Sequence, residues 1–265
     1  MRLEPTRPST PTGDLQTERA LYRAVAGRVV VPAGRSAVLA RRTQVIDAEV
    51  ARALGRGTPQ IVLLGAGYDG RPLRFADGAT RWFEVDRPAT LADKQCRLAA
   101  LAAASPDTGD PTGASAEPSS ASTSVAVDTW TDDVGRALDR AGHHAAAPTL
   151  FVCEDLFDSL PLQTTAALCT ALRSRAAPGS GLVATFDERP DAAAPVRTLR
   201  AGSGLLRQVA GRPHGHEFRP GDPEKLMVVS GWRVTHAEAT SGARLDPGAH
   251  VRLLVCEPAG SAGSG

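Results

Sequence analysis

The residues with the clearest chemical use are the glycines of Gly65-Ala66-Gly67 and the acids of Glu84-Val85-Asp86. Ile61-Val62-Leu63-Leu64 before the glycines is a short apolar run that suits a strand covered on both faces. Glycines directly after such a strand permit a tight turn and let a ligand approach the backbone. Glu84 and Asp86 lie 19 and 21 residues after Gly65, at the end of a second strand candidate, Trp82 to Val85. A carboxylate at that distance, on the neighbouring strand tip, can accept hydrogen bonds from ribose hydroxyls. The pattern is that of a nucleoside-cofactor pocket.

Other chemistry-bearing residues fall at later strand ends. Asp128 follows one apolar segment, and Glu154 and Asp155 follow another. Five acids along one sheet edge are costly unless cations or hydrogen-bond donors sit among them. A sulfonium or an amino group on a ligand would supply both. The glycine turn, Gly65 to Gly70, also fits G-x-G-x-x-G literally. Arg71-Pro72 follows at once, so no helix N-terminus is expected there, which favours a cofactor without a pyrophosphate over a nicotinamide dinucleotide. His214 and His216, in Arg212-Pro213-His214-Gly215-His216-Glu217, are the candidate bases, and Ser159 is a third candidate contact for a substrate. Each has an ordinary alternative: surface-loop histidines, and capping before Pro161. No metal site is expected from H-x-H-E alone, nor from Cys96, Cys153, Cys169 and Cys256, which form no C-x-x-C pair.

The elements that must hold these residues alternate along the chain. Helices are expected over 15–26, 44–54, 88–103, 132–141, 161–176, 193–209 and 223–229. Strands are expected over 61–64, 82–85, 124–127, 149–153, 181–186, 232–239 and 250–256, the last two as an antiparallel hairpin. This alternation specifies an α/β fold: a doubly wound, mostly parallel seven-stranded sheet with an antiparallel C-terminal hairpin. Ligands then bind at the carboxyl ends of the strands. Residues 1–14 read as a disordered N-terminus, 15–257 as a single domain, and 258–265 as a flexible tail. The Ser-, Ala- and Pro-rich stretch 104–123 reads as a surface insertion without chemistry.

Composition narrows the function classes. The chain has 265 residues, and its net charge of +1 gives no basic field for nucleic acid. No apolar run approaches the roughly 20 residues that span a bilayer. The Pro- and Thr-rich start has no apolar core of a secretory signal, so a cytoplasmic location is expected.

Six segments carry a resemblance to a known family. They are Arg42-Thr43-Gln44-Val45-Ile46-Asp47, Leu64-Gly65-Ala66-Gly67-Tyr68-Asp69-Gly70-Arg71, Phe83-Glu84-Val85-Asp86-Arg87-Pro88-Ala89, Val127 to Asp133, Val152-Cys153-Glu154, and Ala177-Pro178-Gly179-Ser180. In this order the chain resembles class I S-adenosylmethionine-dependent methyltransferases, in particular the leucine carboxyl methyltransferase group and its bacterial relatives. The resemblance implies a Rossmann-like methyltransferase fold and S-adenosyl-L-methionine as cofactor. It implies that Gly65, Ala66 and Gly67 line the methionine end, that Asp86 holds the ribose, and that Asp128 and Thr129 flank the adenine. It further implies that Glu154 lies near the methionine moiety and that Arg42 binds the cofactor carboxylate, with Arg41 a competing alignment by one residue. Two positions depart from the family pattern: Asp155 stands where Gly is usual, and Ser159-Leu160 where a Tyr-Leu pair is usual.

The resemblance implies methyl transfer to an oxygen, most simply a carboxylate of a small molecule or peptide. Such an acceptor arrives ionised, so no general base is required. A phenol or amine acceptor in secondary metabolism would more often need one, and a protein that binds the cofactor without turnover is a further alternative. Oligomeric state is not legible in the sequence.

Overall fold

A computed structural model of the chain describes residues 8–26, 33–104, 122–189, 216–241 and 250–260. The expected helix 193–209 and His214 lie outside the described residues, as do 105–121 of the expected insertion and 261–265 of the tail.

Seven strands form one sheet in the order β3-β2-β1-β4-β5-β7-β6. They are β1 (Gln60–Leu64), β2 (Arg81–Asp86), β3 (Thr123–Ala126), β4 (Thr149–Cys153), β5 (Gly181–Glu188), β6 (Trp232–Ser241) and β7 (His250–Pro258). The first five in chain order run parallel. β7 pairs antiparallel with both β5 and β6, giving the expected C-terminal hairpin. The helices are α1 (Leu15–Ala26), α2 (Ala33–Gly55), α3 (Arg71–Arg74), α4 (Pro88–Ala104), α5 (Val134–Arg140), α6 (Leu162–Arg173) and α7 (Asp222–Val229). No described helix is long and apolar enough to cross a membrane.

Strand alternation divides the core into two layers. Val62, Leu64, Phe83, Val85, Phe151 and Cys153 point to one face, where Leu138, Leu168, Leu172 and Met227 of the helices meet them. Ile61, Leu63, Trp82, Leu150 and Val152 point to the other, where Ile46, Val50 and Ala53 of α2 pack. A sheet buried on both faces needs apolar residues at successive positions, which is why β1 and β4 read as unbroken apolar runs. The strand order reverses between β1 and β4, and the crevice outside their carboxyl ends is where such sheets bind ligands.

Several expectations need correction. The glycine turn does run into a helix: α3 is one turn, with Pro72 in its first turn where a missing N–H costs nothing. Pro161 is the residue before α6 rather than part of its first turn. α2 starts eleven residues before the expected Gln44, because its first half carries Ala, Arg and Ser without an apolar stripe. Residues 8–14 are not loose. Thr10 and Asp14 N–H groups donate to the carbonyls of Arg74 and Leu73, and the Arg74 guanidinium donates to the Pro8 carbonyl.

The end of the sheet opposite the crevice holds a buried histidine. His143 Nε2 is 3.0 Å from Thr149 Oγ1, and the Arg175 guanidinium lies 3.3 Å from His143 Nδ1. Burial, then the facing guanidinium, push the imidazole down to about 4. In the unfolded chain the ring takes its proton near the ordinary value of about 6.5. As pH falls below that value the unfolded state binds protons that the folded state refuses, so stability is lost between pH 6.5 and 4. The loss at pH 5 is up to about 2 kcal/mol. His143→Gln should therefore melt with a shallower pH dependence between pH 7 and 5 than the wild type. Equal slopes would show that this ring does not titrate as described.

Candidate functional site

The glycine turn is built by backbone that only glycine adopts comfortably. Gly65 and Gly67 have φ of 67° and 47°. The N–H groups of Gly65 and Ala66 donate to the Val85 carbonyl, which locks the turn against the end of β2. The Gly67 N–H donates to Asp86 Oδ2 at 2.7 Å, and Asp86 Oδ1 accepts from the Arg87 N–H. Asp86 thus shapes the turn while keeping lone pairs for a further donor. On the adjacent strand, the Val127 N–H donates to the Asp86 carbonyl, so Asp128 stands beside Asp86. Asp128 Oδ1 accepts from the Trp130 N–H, and Asp132 Oδ2 accepts from the Asp128 N–H. That turn also positions Thr129. Sequence spacing had placed Asp86 and Asp128 on neighbouring tips, and they are there.

A cavity of about 390 Å³ opens from the glycine turn toward α1 and α2. Such a volume falls within the range for small-molecule sites. Gly65, Ala66, Gly67, Arg42, Glu154 and Asp155 line it, with Tyr22, Leu39 and Tyr68 from the covering segments. Asp86, Asp128 and Thr129 are not part of this lining and lie along the strand ends beyond the turn. The expected methionine-end and nucleoside-end residues thus fall in two adjoining places, a chamber and the strand ends beside it.

Two acids at the sheet edge, Glu154 and Asp155, are paired by cations of the protein itself. Arg71 is 5% exposed and binds Asp47 at 2.8 Å, Asp69 at 2.5 Å and Glu154 at 2.7 Å. Arg74 binds Glu18 and Asp47, both at 2.9 Å. Arg42 Nε lies 2.8 Å from Glu154 Oε1, short of hydrogen-bond geometry, and its Nη1 donates to Asp155 Oδ1 at 2.5 Å. Burial opposes ionisation of Glu154, but Arg71 and Arg42 outweigh it and hold the carboxyl down at about 2. Glu84 does not join this group. It sits inside β2, buried against α4, where Lys94 and the Ser122 hydroxyl bond it. For Glu84, Glu154 and Asp155, the cations that such crowding requires come from the protein. Among the described residues, Glu18, Asp69, Glu154 and Asp155 line the chamber with Arg42, Arg71 and Arg74, and Asp47 binds the last two arginines from behind.

The two aligned arginines sit in different places. Arg41 is half exposed and forms a two-bond pair with Glu238 of β6, away from the chamber. Arg42 lines it. The acceptor-side candidates do not. The Ser159 hydroxyl donates to the Leu156 carbonyl rather than capping α6. The His216 N–H donates to the Leu160 carbonyl, and its ring packs edge-on against Phe218 with centroids 4.7 Å apart. Neither residue lines the chamber. Sequence reading missed Arg71, Arg74, Asp47 and Asp69. The available signal was a charged residue, Asp47, beside Ile46 on the buried face of α2, and an i,i+3 arginine pair directly after the glycine turn.

The comparisons with known proteins fit this geometry. A relative from Parafrankia sp. is 38% identical over 56% of this chain and 43% of its own length, and is provisionally named an S-adenosyl-L-methionine-dependent methyltransferase. Relatives from Streptomyces coelicolor and Mycobacterium avium bear the same provisional name. They are 35% and 34% identical over 71% and 82% of this chain and 57% and 60% of theirs. The chain thus spans about half the length of the curated relatives it matches. Among solved structures, the magnesium protoporphyrin IX methyltransferase of Synechocystis PCC 6803 with bound SAH superposes with a TM-score of 0.52. At 16% identity over 91% of this chain and 94% of that one, it shows the shared Rossmann-like fold. The sequence profile described as leucine carboxyl methyltransferase matches residues 11–173. The chain belongs to the leucine carboxyl methyltransferase family.

Proposed function

We propose that the protein is an S-adenosyl-L-methionine-dependent O-methyltransferase that esterifies a carboxylate of a small molecule or peptide. The observation that carries this reading is the continuous track formed by the glycine turn, Asp86 and Asp128 on adjacent strand tips, beside a chamber holding Arg42 and Glu154. The names of the relatives and the family match support it. The donor set suits the cofactor: carboxylates for ribose hydroxyls and an amino group, an arginine for a carboxylate, and the Glu154 carboxylate for a sulfonium. When bound, the cofactor supplies a methyl group on a positively charged sulfur.

The chain's own contribution is alignment and exclusion of water. Asp86 fixes the turn and accepts ribose hydrogen bonds. Asp128 and Thr129 border the adenine. Arg42 takes the carboxylate of the methionine end, and Glu154, ionised down to about pH 2, attracts its positive charge. A carboxylate acceptor arrives ionised and needs no proton removal. His216→Ala should accordingly leave kcat within about twofold, and a large loss with a shifted pH profile would favour a phenol or amine.

The carboxylates that line the chamber favour a second reading, an acceptor bearing an amino group. Incubation with methyl-labelled cofactor and candidate acids or amines separates the two. A product whose label is released by mild base is an ester, whereas a base-stable product is an N-methyl compound. Cofactor binding without labelled product from either class would leave a binding protein and overturn the enzyme reading.

A further inference from the structure

Of the three chamber arginines, two are fully committed to holding the fold. Arg71 is shared among three carboxylates, and Arg74 among Glu18, Asp47 and the Pro8 carbonyl. Arg42 is the cation that can exchange partners. One of its two acids, Glu154, is pinned from the other side by Arg71 and is 21% exposed. The other, Asp155, is 56% exposed, and Arg42 is the side-chain partner recorded for its carboxylate among the described residues. Asp155 is also the residue that the backbone accommodates least well. With φ of 55° it is the one non-glycine residue in the left-handed region among those described. Its N–H donates to the Thr185 hydroxyl, which holds that conformation and sends the side chain toward Arg42.

Resting on the cofactor reading above, we infer that Asp155 is an internal competitor for Arg42, occupying the guanidinium edge that the carboxylate of a bound cofactor would take. A guanidinium edge accommodates one carboxylate in line with its N–H groups. An incoming carboxylate must displace Asp155, and until it does the two anions repel. Asp155 therefore lowers affinity for ligands that carry a carboxylate and leaves others untouched. It is a positioning residue that sets how firmly the methionine end is held.

The test is calorimetric binding of two probes to the whole chain. S-adenosylhomocysteine carries the carboxylate, and 5′-methylthioadenosine keeps the nucleoside but lacks it. Asp155→Gly relieves the left-handed backbone and should fold at least as stably as the wild type, and Asp155→Asn keeps size while removing charge. Both variants should bind S-adenosylhomocysteine about fivefold or more tightly than the wild type and 5′-methylthioadenosine equally well. Unchanged or weaker S-adenosylhomocysteine binding in both variants would overturn the inference, as would an equal gain for both probes. Should neither probe bind the wild type or either variant, the cofactor reading itself fails, and the inference with it.

Discussion

Replacing Arg71 with methionine is expected to cost about 3–5 kcal/mol of folding stability at pH 7, as removal of one partner from a buried ion cluster does. The guanidinium is almost sealed from water and has its pKa raised well above the ordinary value by Asp69, Glu154 and Asp47, despite burial. Methionine fills most of the volume but leaves three carboxylates facing one another with the charge of Arg71 gone. Arg74 still holds Asp47, and Arg42 still holds Glu154, so the defect is partial rather than total. The sign of its pH dependence follows from Glu154. In the wild type its carboxyl is held at about 2, below the unfolded value of about 4.3. The stability this contributes is present above pH 4.3 and is lost as pH falls toward 2. The variant, left with Arg42 alone, has less of it to lose, so the gap between the two proteins should narrow on acidification. Urea melts at pH 7 and pH 3 measure both effects. Arg71→Lys keeps the charge without the fork and should fall between. A loss below about 1 kcal/mol at pH 7 would mean that the cluster does not hold α3 and the turn in place.

The same cluster shows where sequence reading succeeds and where it stops. β1 and β4 are legible because a strand covered on both faces has no polar positions, so its apolar run stands out. The glycine turn is legible because positive φ at Gly65 and Gly67 leaves little choice of residue. Asp86 and Asp128 are legible because parallel pairing puts the ends of β2 and β3 side by side. Arg71 and Arg74 are hidden for a different reason. A four-residue helix is too short to show a period, and ionisable side chains are read as solvated by default. Their burial depends on Asp47 and Glu18, which arrive from α2 and α1, 24 and 56 residues away in sequence. Glu84 fails by the reverse route. Its position near a strand end suggested the crevice, but Lys94 sits on the α4 face that covers it. Charge pairing between elements is a property of the assembled layers, and local pattern does not carry it.

Asp86→Ala is expected to weaken S-adenosylmethionine binding by about 1–3 kcal/mol, the range for losing buried or charge-assisted hydrogen bonds. Two losses combine. One is the acceptor proposed for the ribose hydroxyls. The other is the tie between Oδ2 and the Gly67 N–H, which holds the turn in the shape that lines the chamber. Asp86→Asn tells them apart. Its amide oxygen can still accept from Gly67, so the turn is kept, while one acceptor becomes a donor that cannot serve the ribose in the same way. If the ribose contact dominates, Asn and Ala lose similar affinity, and both leave the melting temperature nearly unchanged. If the turn dominates, Asn binds close to the wild type while Ala both binds weakly and melts earlier. Binding by both variants at wild-type strength would remove Asp86 from the cofactor track. Because Asp128 reaches its position through the Val127 bond to the Asp86 carbonyl, which neither substitution alters, its contribution stays constant across the series. The measured difference then belongs to the Asp86 carboxylate alone.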